Sequence, residues 1–126
     1  MRPRVLIIED EEPIAQAEKL ILEEYYEVHH AKDGDVGLQM VEQLMPDLVV
    51  LDLMLPKRGG YDISFTLRQN PKFSGIKIVM VTAKTLQSDE EKGLLVGADH
   101  YLTKPFEPEQ LLETVQRVLG NVSPTN

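Results

Sequence analysis

Four short apolar runs each end in a polar residue: Val5-Leu6-Ile7-Ile8 before Glu9-Asp10, Leu48-Val49-Val50-Leu51 before Asp52, Ile78-Val79-Met80-Val81 before Thr82, and Tyr101-Leu102-Thr103 before Lys104-Pro105. Apolar residues at consecutive positions, rich in Val and Ile, suit strands buried on both faces by crossover helices. The intervals between the runs are long enough for such crossovers. After the first run, Ile14, Ala17, Ile21 and Tyr25 recur at helical spacing, and Pro13 sits where a first turn tolerates proline. Gly37, Met40, Val41, Leu44 and Met45 form a second stripe. Leu111, Val115, Val118 and Leu119 form a last one, with Pro108 at its start and Gly120 past its end.

Two crossovers are less plain. Tyr61, Ile63, Phe65 and Leu67 alternate as a half-buried strand would, but two parallel neighbours need a long connection, usually helical, and Ile63 with Leu67 fits one helix face. Leu86 to Val96 carries few apolar residues and is bounded or broken by Gly93 and Gly97, so it is the faintest helix of the set. Tyr26 to Ala31, with Glu27, His29 and His30, and the short run around Tyr101 have the length or charge of edge strands. These assignments predict an α/β fold with a parallel five-stranded sheet of order 2-1-3-4-5 between two helical layers, the flavodoxin-like (βα)5 sandwich. The polar residues closing the runs then meet at one sheet edge, where open α/β sheets place ligand sites.

Composition adjusts this picture little. A chain of 126 residues, 42% hydrophobic, reads as one domain over residues 1–120, with 121–126 a tail or the start of a linker. Absence of cysteine excludes disulfides and thiolate metal sites. No apolar stretch approaches the roughly 20 residues that span a bilayer, and no signal segment precedes the first run, so a cytoplasmic domain without membrane contact is expected. A formal net charge of -8 without a basic run argues against direct nucleic-acid binding. His29, His30 and His100 lack the spacing of a metal site and read as surface or edge residues.

The carboxylates carry the chemistry. Glu9, Asp10 and Asp52 at adjacent strand ends repel one another, and a hard divalent cation removes that penalty. Mg²⁺ fits, since it takes one or two carboxylates and keeps coordination positions for water and a phosphoryl group. With Lys104 opposite, a carboxylate can attack phosphorus and form an acyl phosphate, the charge on the transferring oxygens being shared by metal and lysine. Asp52, on the central strand, is the nucleophile candidate, and the Thr82 hydroxyl can donate to a phosphoryl oxygen. The plainer readings are a strand-end acid for Asp52, helix caps for Thr82 and for the acidic run Glu9 to Glu12, a solvated Lys104, and core packing for Tyr101.

From about Arg4 to about Leu119 the chain resembles the receiver domain of two-component response regulators. The residues that carry the resemblance are Glu9-Asp10, Asp52-Leu53-Met54-Leu55-Pro56 with Gly60, Thr82-Ala83, and Gly97-Ala98-Asp99 leading to Tyr101, Lys104, Pro105 and Phe106. The resemblance implies that Asp52 accepts a phosphoryl group from a histidine kinase or phosphotransfer protein. It further implies that Glu9, Asp10, Asp52 and the Met54 carbonyl ligate Mg²⁺, that Lys104 contacts the phosphoryl group, that Thr82 and Tyr101 form a switch, and that Lys104-Pro105 is cis. Such a domain is a signalling acceptor, not an enzyme with a turnover substrate. Its output surface would comprise the fourth helix, fifth strand and last helix, acting on an effector domain, a downstream protein or a phosphorylation-dependent homodimer.

Within the winged-helix transcription factor group, which the chain resembles most, a second acid after Gly-Ala-Asp and a basic residue in the last helix pair across a dimer. Here His100 and Thr114 hold those places, while Lys92 and Asp99 match the pattern. A haloacid dehalogenase-type phosphatase would need a second acid two residues after Asp52, where Met54 stands. A dinucleotide or flavin module would need a phosphate loop where Glu9 to Glu12 lie. The remaining alternative is a receiver-like interaction module that works without phosphorylation.

Overall fold

Side chains alternate across a strand, so each of the apolar runs serves two faces at once. In the computed structural model, which describes residues 2–83 and 97–120, Leu6, Ile8, Val49, Leu51, Ile78 and Met80 build one core and Val5, Ile7, Leu48, Val50, Val79 and Val81 the other. The strands are β1 (Arg4–Ile8), β2 (Glu27–Ala31), β3 (Leu48–Asp52), β4 (Lys77–Thr82) and β5 (His100–Thr103). They form a parallel sheet of order β2-β1-β3-β4-β5, with β2 and β5 at the edges. The order expected from the two edge strands is the one observed.

The helices are α1 (Glu12–Leu22), α2 (Gly34–Leu44), α3 (Gly60–Gln69) and α4 (Pro108–Val118). Val41, Ile63 and Leu67 from α2 and α3 close the first of these cores, and Leu22, Leu111 and Val115 from α1 and α4 close the second. The alternating segment around Ile63 is helical, with Ile63, Ser64 and Leu67 buried and Phe65 left 53% exposed. Pro108 opens α4, where Glu107 and Gln110 form a capping box, and Gly120 follows its end with φ +66°. The helix expected over Leu86 to Val96, and with it Lys92, lies outside the described residues.

Three boundaries differ from the sequence reading. In α1 the buried positions are Ala15, Glu18 and Leu22, continued by Tyr26, one residue on from the expected stripe of Ile14, Ala17, Ile21 and Tyr25. The more apolar series lines an open groove instead, and an acid takes a core-facing place. Tyr26, expected to start β2, packs under α1 before the strand begins at Glu27. Met45 adopts a left-handed conformation, φ 48°, that terminates α2, and its side chain is exposed instead of closing the stripe.

Candidate functional site

Parallel pairing brings the strand ends together. Ile8 pairs with Leu51 across β1 and β3, Asp52 with Val81 across β3 and β4, and Thr82 with Thr103 across β4 and β5. Glu9, Asp10, Asp52, Thr82 and Lys104 therefore all emerge at one edge. One carboxylate oxygen from each of Glu9, Asp10 and Asp52 lies within 4.8 Å of the others, Glu9 and Asp52 buried and Asp10 exposed.

The Lys104 ammonium donates to Glu9 Oε1 at 2.9 Å and to Asp52 Oδ2 at 3.2 Å. Backbone donors hold the second oxygens: Glu11 N–H reaches Glu9 Oε2 at 3.1 Å, and Met54 N–H reaches Asp52 Oδ1 at 2.9 Å. Lys104 is set by its own main chain, whose N–H donates to the Thr82 carbonyl at 2.7 Å, and by a cis peptide to Pro105. Burial pushes Glu9 up to about 7; the Lys104 hydrogen bond opposes the rise and the charge of Asp52 adds to it. Burial alone would lower Lys104, but its bond to Glu9 and the charge of Asp52 outweigh that and hold it above its ordinary value.

The donor set suits a hard cation: three carboxylates, no thiolate and no imidazole among the clustered ligands. Met54 lies two residues past the end of β3, its N–H on Asp52 and its side chain exposed. Thr82 ends β4 and is fully buried. Tyr101 lies on β5 opposite Met80 and packs, half-buried, against the core of Leu6, Ile8 and Met80. Gly60 is required for close approach, since a Cβ there would stand 2.7 Å from the Asp52 carbonyl oxygen.

Over residues 5–116 the sequence matches the family model of the response regulator receiver domain. The chain belongs to the response regulator receiver family. This receiver is 42% identical over 118 residues to the DNA-binding dual master transcriptional regulator RpaA of Synechocystis sp., covering 93% of the chain and 49% of that protein. It is 35% identical over 125 residues to the phosphate regulon regulatory protein PhoB of Klebsiella pneumoniae, covering 98% and 55%. The receiver thus spans about half the length of these relatives. Among solved structures it resembles a response regulator from Chloroflexus aurantiacus (TM-score 0.90, 34% identity, 95% of this chain and 99% of that one). It also resembles the chemotaxis protein CheY4 of Vibrio cholerae (TM-score 0.89, 32% identity, 94% and 99%).

Several contacts, one at the site and others at the opposite end of the sheet, carry no sequence signal. His30, on the edge strand, places Nε2 2.7 Å from the Glu9 carbonyl oxygen, tying β2 to the acidic pair. Arg68 donates to the Gly97 carbonyl at 2.9 and 2.7 Å and to Asp99 at 2.8 Å, and Asp99 also accepts from Ile78 N–H at 2.8 Å. Asp99, one of the two dimer-pattern matches, is thus engaged within its own fold. Thr114, at the position of the missing basic partner, is buried in α4.

Proposed function

We propose that this receiver accepts a phosphoryl group on Asp52 from a histidine kinase or phosphotransfer protein, and that Thr82 and Tyr101 convert the modification into a change of surface. The observation that carries this reading is the Lys104 ammonium held between Glu9 and Asp52. The Asp52 carboxylate attacks phosphorus of a phosphohistidine, the P–O bond forms as the P–N bond breaks, and the imidazole leaves with the electron pair. Glu9, Asp10, Asp52 and the Met54 carbonyl would hold Mg²⁺, which supplies positive charge to the phosphoryl oxygens. Lys104 contributes the second positive charge from the protein, preset by its contacts with the Thr82 main chain and Glu9.

With a phosphoryl group on Asp52, the Thr82 hydroxyl at the neighbouring strand end can donate to it, and the space it leaves admits the Tyr101 ring. Such a change is a population shift, as large as the differential interaction of the phosphoryl group with the two states. An effector domain, a downstream protein or a second receiver would read the altered surface; RpaA and PhoB are by name transcriptional regulators about twice as long as this chain. Incubation with a phosphorylated histidine kinase tests the assignment. A receiver traps one acid-stable, base-labile phosphoryl group per chain, a phosphatase releases phosphate continuously, and an interaction module without phosphorylation takes no label.

A further inference from the structure

On the face away from α2 and α3, α1 and the segment from Lys104 into α4 enclose a groove of about 590 Å³. That volume falls in the range of small-molecule sites, about 300 to 1,000 Å³. Its walls are the apolar residues of α1 displaced from the core, Ile14, Ala17 and Ile21, faced by Phe106 and Leu111. One buried polar side chain breaks this lining. Glu18 is 4% exposed, and neither of its carboxyl oxygens has a hydrogen-bond partner among the described residues.

An orphaned carboxyl in an apolar wall is unfavourable, a penalty that a complementary donor would remove. Burial pushes Glu18 up to about 8, with the charge of Glu9 adding to the rise. Around it the charge is acidic: Glu11 also lines the groove, and the Lys104 charge there is already met by Glu9 and Asp52. This setting disfavours an anion and favours a cation with an apolar body.

We propose that the groove between α1 and α4 binds a small aryl- or alkylammonium compound, its apolar part against Ile14, Ile21 and Leu111 and its ammonium on the Glu18 carboxylate. The groove shares Lys104 with the phosphorylation site, but occupation of the groove requires no phosphoryl group on Asp52.

Amide chemical shifts of the full chain, recorded during titration with 2-phenylethylamine in excess Mg²⁺, test the proposal. Saturable shifts confined to Ala15–Leu22 and Phe106–Thr114 are expected, with affinity at least tenfold lower in Glu18→Gln and no response to 3-phenylpropionate. Ala17→Trp, at an exposed position on the wall, should block binding without touching the core. Several results would overturn the site: equal affinity in Glu18→Gln, equal binding of the anion, shifts centred on Glu9 and Asp52, or no saturation. Shifts in the groove that follow protein concentration would give the surface to a second copy. Binding of a basic amphipathic peptide without binding of the amine would give it to a protein partner. Either would also overturn the proposal.

Discussion

The Lys104 ammonium lies 3.2 Å from Asp52 Oδ2, although the residues are 52 positions apart and Lys104 follows β5, a strand that does not pair with the β3 of Asp52. β4 joins them: Asp52 is in register with Val81, Thr82 with Thr103, and the Lys104 N–H extends the β4–β5 pairing by donating to the Thr82 carbonyl. Backbone pairing thus fixes a short charge pair that neither local sequence specifies alone.

Removing that cation leaves Glu9 and Asp52 close together and buried without compensation. Lys104→Met should cost about 1 to 3 kcal/mol at pH 8. The loss should shrink toward pH 6, where protonation of a carboxylate relieves the repulsion. Urea denaturation at both pH values measures it; an equal loss at both would mean that the lysine contributes only packing.

Because Glu9 is raised to about 7, protons should compete with a divalent cation at ordinary pH. Affinity for Mg²⁺ should rise up to tenfold per pH unit as pH climbs toward 7 and level off above it. Titrations followed by amide shifts at pH 5.5, 7 and 8.5 check this, and Glu9→Gln should flatten the profile.

Glu18 predicts a second pH dependence, coupled to the first because the charge of Glu9 adds to its rise. Its folded-state value, about 8, lies above the ordinary 4.5. The native state therefore binds the extra proton, and stability is greatest below about 4.5 and is lost as pH rises through 8. The full difference is on the order of 5 kcal/mol as an upper bound. Glu18→Leu should remove this part of the slope and raise the thermal midpoint at pH 8.5; an unchanged slope would show that Glu18 is not its source.

Gly60 tests how tightly the segment after β3 is packed. A methyl group there meets the Asp52 carbonyl oxygen at 2.7 Å and the Leu53 Cα at 2.8 Å. Gly60→Ala should destabilise by about 1 to 3 kcal/mol and slow acceptance of phosphate by displacing Asp52. Chemical denaturation and a phosphorylation time course report the two effects separately.

The fold was legible because uninterrupted apolar runs admit few alternatives to buried parallel strands, and topology settled the ambiguous Tyr61 to Leu67 segment. The strand-end residues were legible for the same reason: register in a parallel sheet delivers consecutive strand ends to one edge. Periodicity failed in α1, where it followed Ile14 and Ile21 and missed Glu18 one face over. A hydrophobicity pattern cannot anticipate an acid in a core-facing position. Nor could it find the His30 contact to Glu9 or the Arg68 contacts around Gly97, since both depend on where a long polar side chain ends in three dimensions.

The most direct test of the account is the intact mass of the chain after incubation with acetyl phosphate and Mg²⁺. The parent should gain one phosphoryl group and Asp52→Asn none, whereas Thr82→Ala should be labelled yet leave the amide shifts from Gly97 to Lys104 near their unphosphorylated positions under a stable phosphoryl mimic. Labelling that persists in Asp52→Asn, or a parent that takes up no phosphoryl group, would contradict the assignment of Asp52 as acceptor.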